Sequence, residues 1–174
     1  MKKTAVITFA LAVASALNAQ IPASHIAEGK AIWTGVKNNL QNMVEAMPEE
    51  NYSFKPTADI RSFGELAAHV ADAQNLFCSM VLGKPRPESN AKKTTKGALV
   101  AAMKESIASC DAAWDSLTDS NSGETVGRGG MARSRAATLE YNSVHSNEEY
   151  GYMAVYMRLK GVVPPSSAHR GPGR

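Results

Sequence analysis

Four stretches of this chain repeat apolar residues at alternating steps of three and four, and runs with the two-residue alternation of a strand are scarce. That spacing lines apolar side chains along one stripe of an α-helix. The first stretch runs from about Ser24 to Met47, with Ile26, Trp33, Val36, Leu40, Met43 and Met47 on its stripe, and stops before Pro48. The second opens on Ser62-Phe63-Gly64-Glu65, a capping box in which Ser62 accepts from the Glu65 amide and Glu65 reaches back. It continues to about Leu82, with Phe63, Leu66, Val70, Ala73, Phe77 and Val81 inward. The third follows an N-cap at Thr95 and carries Val100, Met103, Ile107, Cys110, Trp114 and Leu117. The fourth runs from about Ser134 to Lys160, where Gly161 ends it and Pro164-Pro165 prevents a restart. The pattern predicts an all-α fold.

The connections leave the topology open. Gly83 to Lys93 is polar, holds two prolines, and at about eleven residues reaches roughly 36 Å when extended, a whole helix length. Both an up-down-up-down bundle and one with a long crossover are compatible with it. Asp119 to Gly130 (DSNSGETVGRGG) reads as a loop, and Ser166 to Arg174 as a disordered tail.

The chain begins MKKTAVITFALAVASALNA, two lysines followed by an apolar run with small residues near its end, the pattern of a secretory signal peptide over residues 1–19. The run from Ala5 to Ala16 is shorter than the roughly 20 apolar residues that span a bilayer. The expectation is a mature protein, periplasmic or secreted, with no membrane attachment. About 155 residues then remain, the size of one domain with one core, placed at residues 20–165. Of the 19 Lys and Arg, the two at Lys2 and Lys3 go with the leader, and the remainder nearly balances 16 Asp and Glu. So neutral a chain has no electrostatic footprint for nucleic acid.

The fourth helix breaks its own pattern. At 100° per residue, Thr138, Asn142, His145, Glu149, Tyr152 and Tyr156 share a face with Tyr141 and Leu159. A polar row on a packed helix costs free energy unless something binds it, so this is where a functional site is expected. His145 and Glu149 lie one turn apart and can converge on one cation. Glu148, the rival carboxylate, falls about 60° to one side of His145, which favours Glu149. A core histidine hydrogen-bonded to a tyrosine, with both glutamates in solvent, is the structural alternative. His69 on the second helix lies about 80° from the centre of its apolar stripe, a rim position open to either a pocket ligand or a surface role. His25 and His169 read as solvated.

Cys78 follows His69 by nine residues, about half a turn away around the helix, and is no candidate to share its ligand. If the second and third helices run parallel, Cys78 and Cys110 stand at similar heights above their N-caps. A disulfide and two free core thiols are both open readings.

Two long blocks, MPEENYSFKPTADIRSFGELAAHVADAQNLFCS at Met47 to Ser79 and HSNEEYGYMAVYMRLKGVVPPSS at His145 to Ser167, resemble the DinB-like family of four-helix-bundle proteins. The resemblance implies an up-down-down-up bundle with a crossover between helices two and three. It also implies a divalent metal, nickel or zinc most often, on a histidine of helix two and two histidines four apart on helix four. His69 and His145 match two of these positions. The third holds Glu149, because the usual His-x-x-Glu-His-Tyr-Gly reads His145-Ser146-Asn147-Glu148-Glu149-Tyr150-Gly151 here. A carboxylate shifts preference toward harder metals, which brings in iron and manganese, although two histidines and a glutamate are also a catalytic zinc set. The site is expected to hold a metal or to be a degenerate remnant in a structural bundle. Members include thiol-dependent S-transferases, so a small-molecule substrate is implied, with Glu148 and Tyr152 as candidates for moving or donating protons. A homodimer paired through a helix face is a further expectation.

Overall fold

The structure, a computed structural model, describes residues 24–168. The expected leader at residues 1–19 lies outside them, as do His169 and the last residues of the tail. Four long helices carry the architecture: α1 His25–Ala46, α2 Phe63–Leu82, α3 Lys96–Asp115 and α4 Arg135–Leu159. Their ends follow local chemistry. Ser62 accepts from the Glu65 amide while Glu65 accepts from Ser62 N at 2.6 Å, so the capping box of α2 is complete. Thr95 and Ser134 cap α3 and α4 in the simpler way, each accepting from an amide three residues on. Gly83 closes α2 at φ 63°, a backbone conformation that favours glycine.

Directions follow from which residues meet. Trp33 Nε1 donates to Asp111 at 2.8 Å and Lys104 pairs with Glu45 at 2.8 Å, so α1 and α3 run antiparallel. Between α2 and α3 the matching positions climb together: a Cβ on Gly64 would lie 3.3 Å from Leu99, Ser106 Oγ donates to Gln74 at 2.7 Å, and Cys78 is bonded to Cys110. These helices are parallel. Tyr156 reaches the carbonyl of Arg61, and Phe77 packs on Tyr141, so α4 runs against α2. The bundle is up-down-down-up. Helix α2 packs between α3 and α4, and α1 closes the ring against the same two. The core includes Trp33, Leu40, Met43, Phe63, Met103, Trp114, Leu139 and Met153, each fully buried. Gly29 of α1 lets the Trp114 ring approach, since a Cβ there would stand 2.7 Å from it.

Parallel α2 and α3 require a crossover along the length of the bundle, and residues 83–95 make it. Asp72, halfway along α2, ties it down by accepting from Ser89 Oγ at 2.6 Å and from Asn90 N and Nδ2, both at 2.8 Å. The cysteine alternatives resolve into the bonded form, with Cα atoms 5.0 Å apart and both residues fully buried.

Three segments depart from the sequence reading. The glycine-rich loop after α3 contains a hairpin of two-residue strands, β1 Thr125–Val126 and β2 Arg133–Ser134. Glu49–Asn51 form a turn of 3₁₀ helix. Ser166 to Ala168, expected within a disordered tail, belong instead to a helical turn, α5 Pro165–Ala168. Its anchor is Tyr150, whose hydroxyl donates to Ser166 Oγ at 2.8 Å and accepts from Ser166 N at 2.9 Å. Among the described residues no helix is long and apolar enough to cross a membrane.

Candidate metal centre

His69 sits in the second turn of α2, and the antiparallel packing of α4 sets it opposite His145 and Glu149. The Nε2 atom of His69 lies 3.5 Å from Glu149 Oε1, and that of His145 lies 3.8 Å from the same oxygen. One ligand atom from each of the three residues falls within 4.8 Å of the others. The imidazole rings meet edge to face with centroids 5.1 Å apart. Side-chain exposure falls from 32% at His69 to 18% at His145 and 10% at Glu149, so the group is most open to solvent at His69.

The two distances to Glu149 are close to those between ligands around a small cation. Donors at about 2.1 Å from a tetrahedral zinc stand roughly 3.4 Å apart. Both distances are too long for the good hydrogen bonds with which buried polar groups are normally satisfied. Two further atoms of the group, Glu149 Oε2 and His145 Nδ1, are buried without a hydrogen-bond partner in the protein. Burial holds the His69 imidazole below its ordinary pKa, against the opposing pull of Glu149, with Arg61 and His145 adding to the depression. His69 is therefore held in the neutral form that can donate a lone pair. The residues present fit a divalent ion.

Around this group the polar face of α4 divides. Thr138, Asn142, Ser146 and Tyr156 are buried, whereas Tyr141 and Tyr152 are exposed. Ser146 accepts from Gln74 at 3.4 Å, and Gln74 accepts in turn from Ser106, a polar layer across the bundle centre just beneath the histidines. Gln74 escaped the sequence reading, although a glutamine one position past Ala73 on an inward stripe was the available signal. Glu148 faces solvent beside the group, and Tyr152 donates to it at 3.0 Å. That bond raises the Tyr152 pKa and commits its hydroxyl to Glu148. His25 lies at the far end of the bundle, exposed and 2.6 Å from Glu140.

Two clefts flank the group. The larger, about 740 Å³, is walled mainly by Pro56, Ile60, Leu66, Val155 and Tyr156, with Glu149 at its inner end and Tyr152 at its rim. The smaller, about 440 Å³, reaches His69 from the other side. Their common wall is Asp59-Ile60-Arg61, the residues that lead into the capping box of α2. Both volumes suit a small molecule.

An up-down-down-up bundle with a histidine on α2 facing a histidine and a carboxylate one turn apart on α4 defines a class: all-α proteins with an inward, half-open His/His/Glu triplet that could hold a metal ion. The chain belongs to the DinB family, whose model matches residues 23–170. In fold it is similar to a DinB-like protein from Bacillus cereus ATCC 10987, at 19% identity and a TM-score of 0.67 over 79% of this chain and 93% of that one. A DinB-like protein from Bacillus subtilis gives 19% identity and 0.63 over 77% and 92%. A conserved protein from Enterococcus faecalis gives 13% and 0.65 over 78% and 96%. No curated protein matches the chain.

Proposed function

We propose that this DinB-family chain is an exported metalloenzyme in which His69, His145 and Glu149 hold one divalent cation at the inner end of the larger cleft, and that a small molecule entering the cleft is its substrate. The observation that carries the reading is the triplet itself, with its donors within 4.8 Å of one another and Glu149 Oε2 and His145 Nδ1 buried without partners. Zinc and nickel suit two imidazoles, and the carboxylate extends the set to iron and manganese. A divalent ion bound there supplies Lewis acidity toward a group of the substrate placed beside it.

The chain's own residues do the rest. His69 is kept neutral by burial and Glu149 supplies the negative charge. The apolar wall of Ile60, Leu66 and Val155 excludes water from one side of the substrate. The Tyr156 hydroxyl, kept protonated by burial first and by Glu149 next, donates to the Arg61 carbonyl at 2.8 Å and so fixes the cleft wall to α4. Tyr152 and Glu148 form an exposed pair at the rim, placed to exchange protons with solvent rather than to ligate.

The Cys78–Cys110 bridge supports an oxidising compartment, in line with the leader-like composition of residues 1–19. Such a compartment keeps little free thiol, which favours metal-assisted hydrolysis over thiol transfer. Glu149 in a position where the family usually carries histidine favours one second reading, a noncatalytic bundle with a degenerate site. Metal analysis of the purified mature protein separates the two. Stoichiometric metal, lost in His69→Ala and in Glu149→Ala, is the expected result. Metal-free protein whose melting temperature ignores a chelator would sink the metalloenzyme reading.

A further inference from the structure

Arg61 is the only basic residue on the wall shared by the two clefts, and it stands directly ahead of the α2 N-cap. Its backbone is fixed by the bond from Tyr156 and by the capping box that begins one residue later. Its side chain is exposed, and among the described residues its guanidinium makes no hydrogen bond or ion pair. Its neighbours are otherwise engaged. Lys55 in the smaller cleft pairs with Glu65 at 3.1 Å, both carboxylate oxygens of Asp72 hold the crossover, and Asp59 accepts from Thr57 at 2.6 Å. An uncommitted guanidinium carried on a fixed backbone at the edge of an apolar cleft is a ready donor to a planar anion, which its fork can bind through two parallel hydrogen bonds.

We propose that Arg61 is a recognition residue for a carboxylate on the ligand, so that the cleft takes a small monocarboxylate whose apolar body lies against Ile60, Leu66 and Val155. Which end of that ligand reacts rests on the metal reading above, because Glu149 lies at the inner end of the same cleft while Arg61 guards its wall. A carboxylate fits better than a phosphate, since Arg61 is the one basic side chain lining the larger cleft, in the company of Asp59 and Glu149, and a phosphate needs more donors than one guanidinium supplies.

The test is calorimetric titration of the mature protein, its metal content measured first, with hexanoate, hexanamide and inorganic phosphate. Wild type should bind hexanoate roughly tenfold or more tightly than hexanamide, the size of one charge-assisted hydrogen-bond pair. In Arg61→Gln that ratio should fall to about one with metal content and melting temperature unchanged, and Arg61→Lys should restore part of it. An unchanged ratio in Arg61→Gln overturns the proposal, as does phosphate binding more tightly than hexanoate. A preference that survives Arg61→Gln but disappears in His69→Ala places the carboxylate on the metal and also overturns it. Protein that carries no metal but keeps an Arg61-dependent preference overturns the metal reading alone and leaves the carboxylate subsite supported.

Discussion

Glu149 is the residue on which most depends. It brings a negative charge to a place where it is 7% exposed, with one oxygen lacking any partner in the protein. Such a group is costly unless a cation compensates it. Replacing it with glutamine therefore has opposite effects on binding and on folding. Glu149→Gln should weaken metal retention by more than the roughly 10–100-fold lost when a group that merely orients a ligand is removed. The metal-free variant should nevertheless melt at or above metal-free wild type. Glu148→Gln should change neither quantity, and metal analysis with thermal melts of the two variants side by side checks the contrast. The helical wheel was enough to prefer Glu149 over Glu148, because the 100° between successive residues turns one toward the packed face and the other toward solvent. Arg61 and Gln74 were harder to find. The role of each depends on what another helix places opposite it, and single-helix periodicity carries no information about that.

Among the elements, α1 and α3 approach so closely that a glycine decides the spacing. In an exposed helix a Gly to Ala change is worth roughly 0.5–1 kcal/mol in favour of alanine. Gly35, with nothing within 4 Å of a new Cβ, should show that gain. Gly29 should show the reverse, a loss of about 1–3 kcal/mol, because Trp114 is buried and cannot give way. Denaturant unfolding of the two single variants measures both signs. The contact between α2 and α3 is instead covalent. A bridge across a sequence separation of 32 contributes roughly 3–4 kcal/mol by restricting the unfolded chain, so the Cys78→Ala/Cys110→Ala double variant should lose about that much. All four long helices, with the α2 capping box, were legible because repeated apolar spacing accumulates over many turns. The hairpin was not, since two-residue strands are too short to display an alternation. The turn at Pro165–Ala168 depends on Tyr150, fifteen residues upstream of Pro165, and local composition there suggests only looseness.

For the whole molecule, the acid limit follows from surface carboxylates as much as from the core. The Ser62 amide, then Lys55, holds the Glu65 carboxyl below its ordinary value of 4.5, and Lys104 does the same for Glu45. A group whose folded pKa is depressed contributes stability that is present above its unfolded value and is lost as pH falls through the folded one. Stability should accordingly decline below about pH 4.5, and Glu65→Gln should make that decline shallower, read from unfolding midpoints across the acid range. The overall topology was legible only in part, since the length of the segment after α2 allowed a crossover without demanding one. The resemblance supplied the direction that pattern could not. The same crossover has a consequence for handling the protein. It carries exposed Lys92 and Lys93, neither of which precedes a proline as Lys84 and Arg86 do, and it lies wholly between the two bonded cysteines. A single tryptic cut there divides the backbone into two pieces that Cys78–Cys110 still joins, so the nicked protein migrates as one intact species until a reductant is added, when it separates into two.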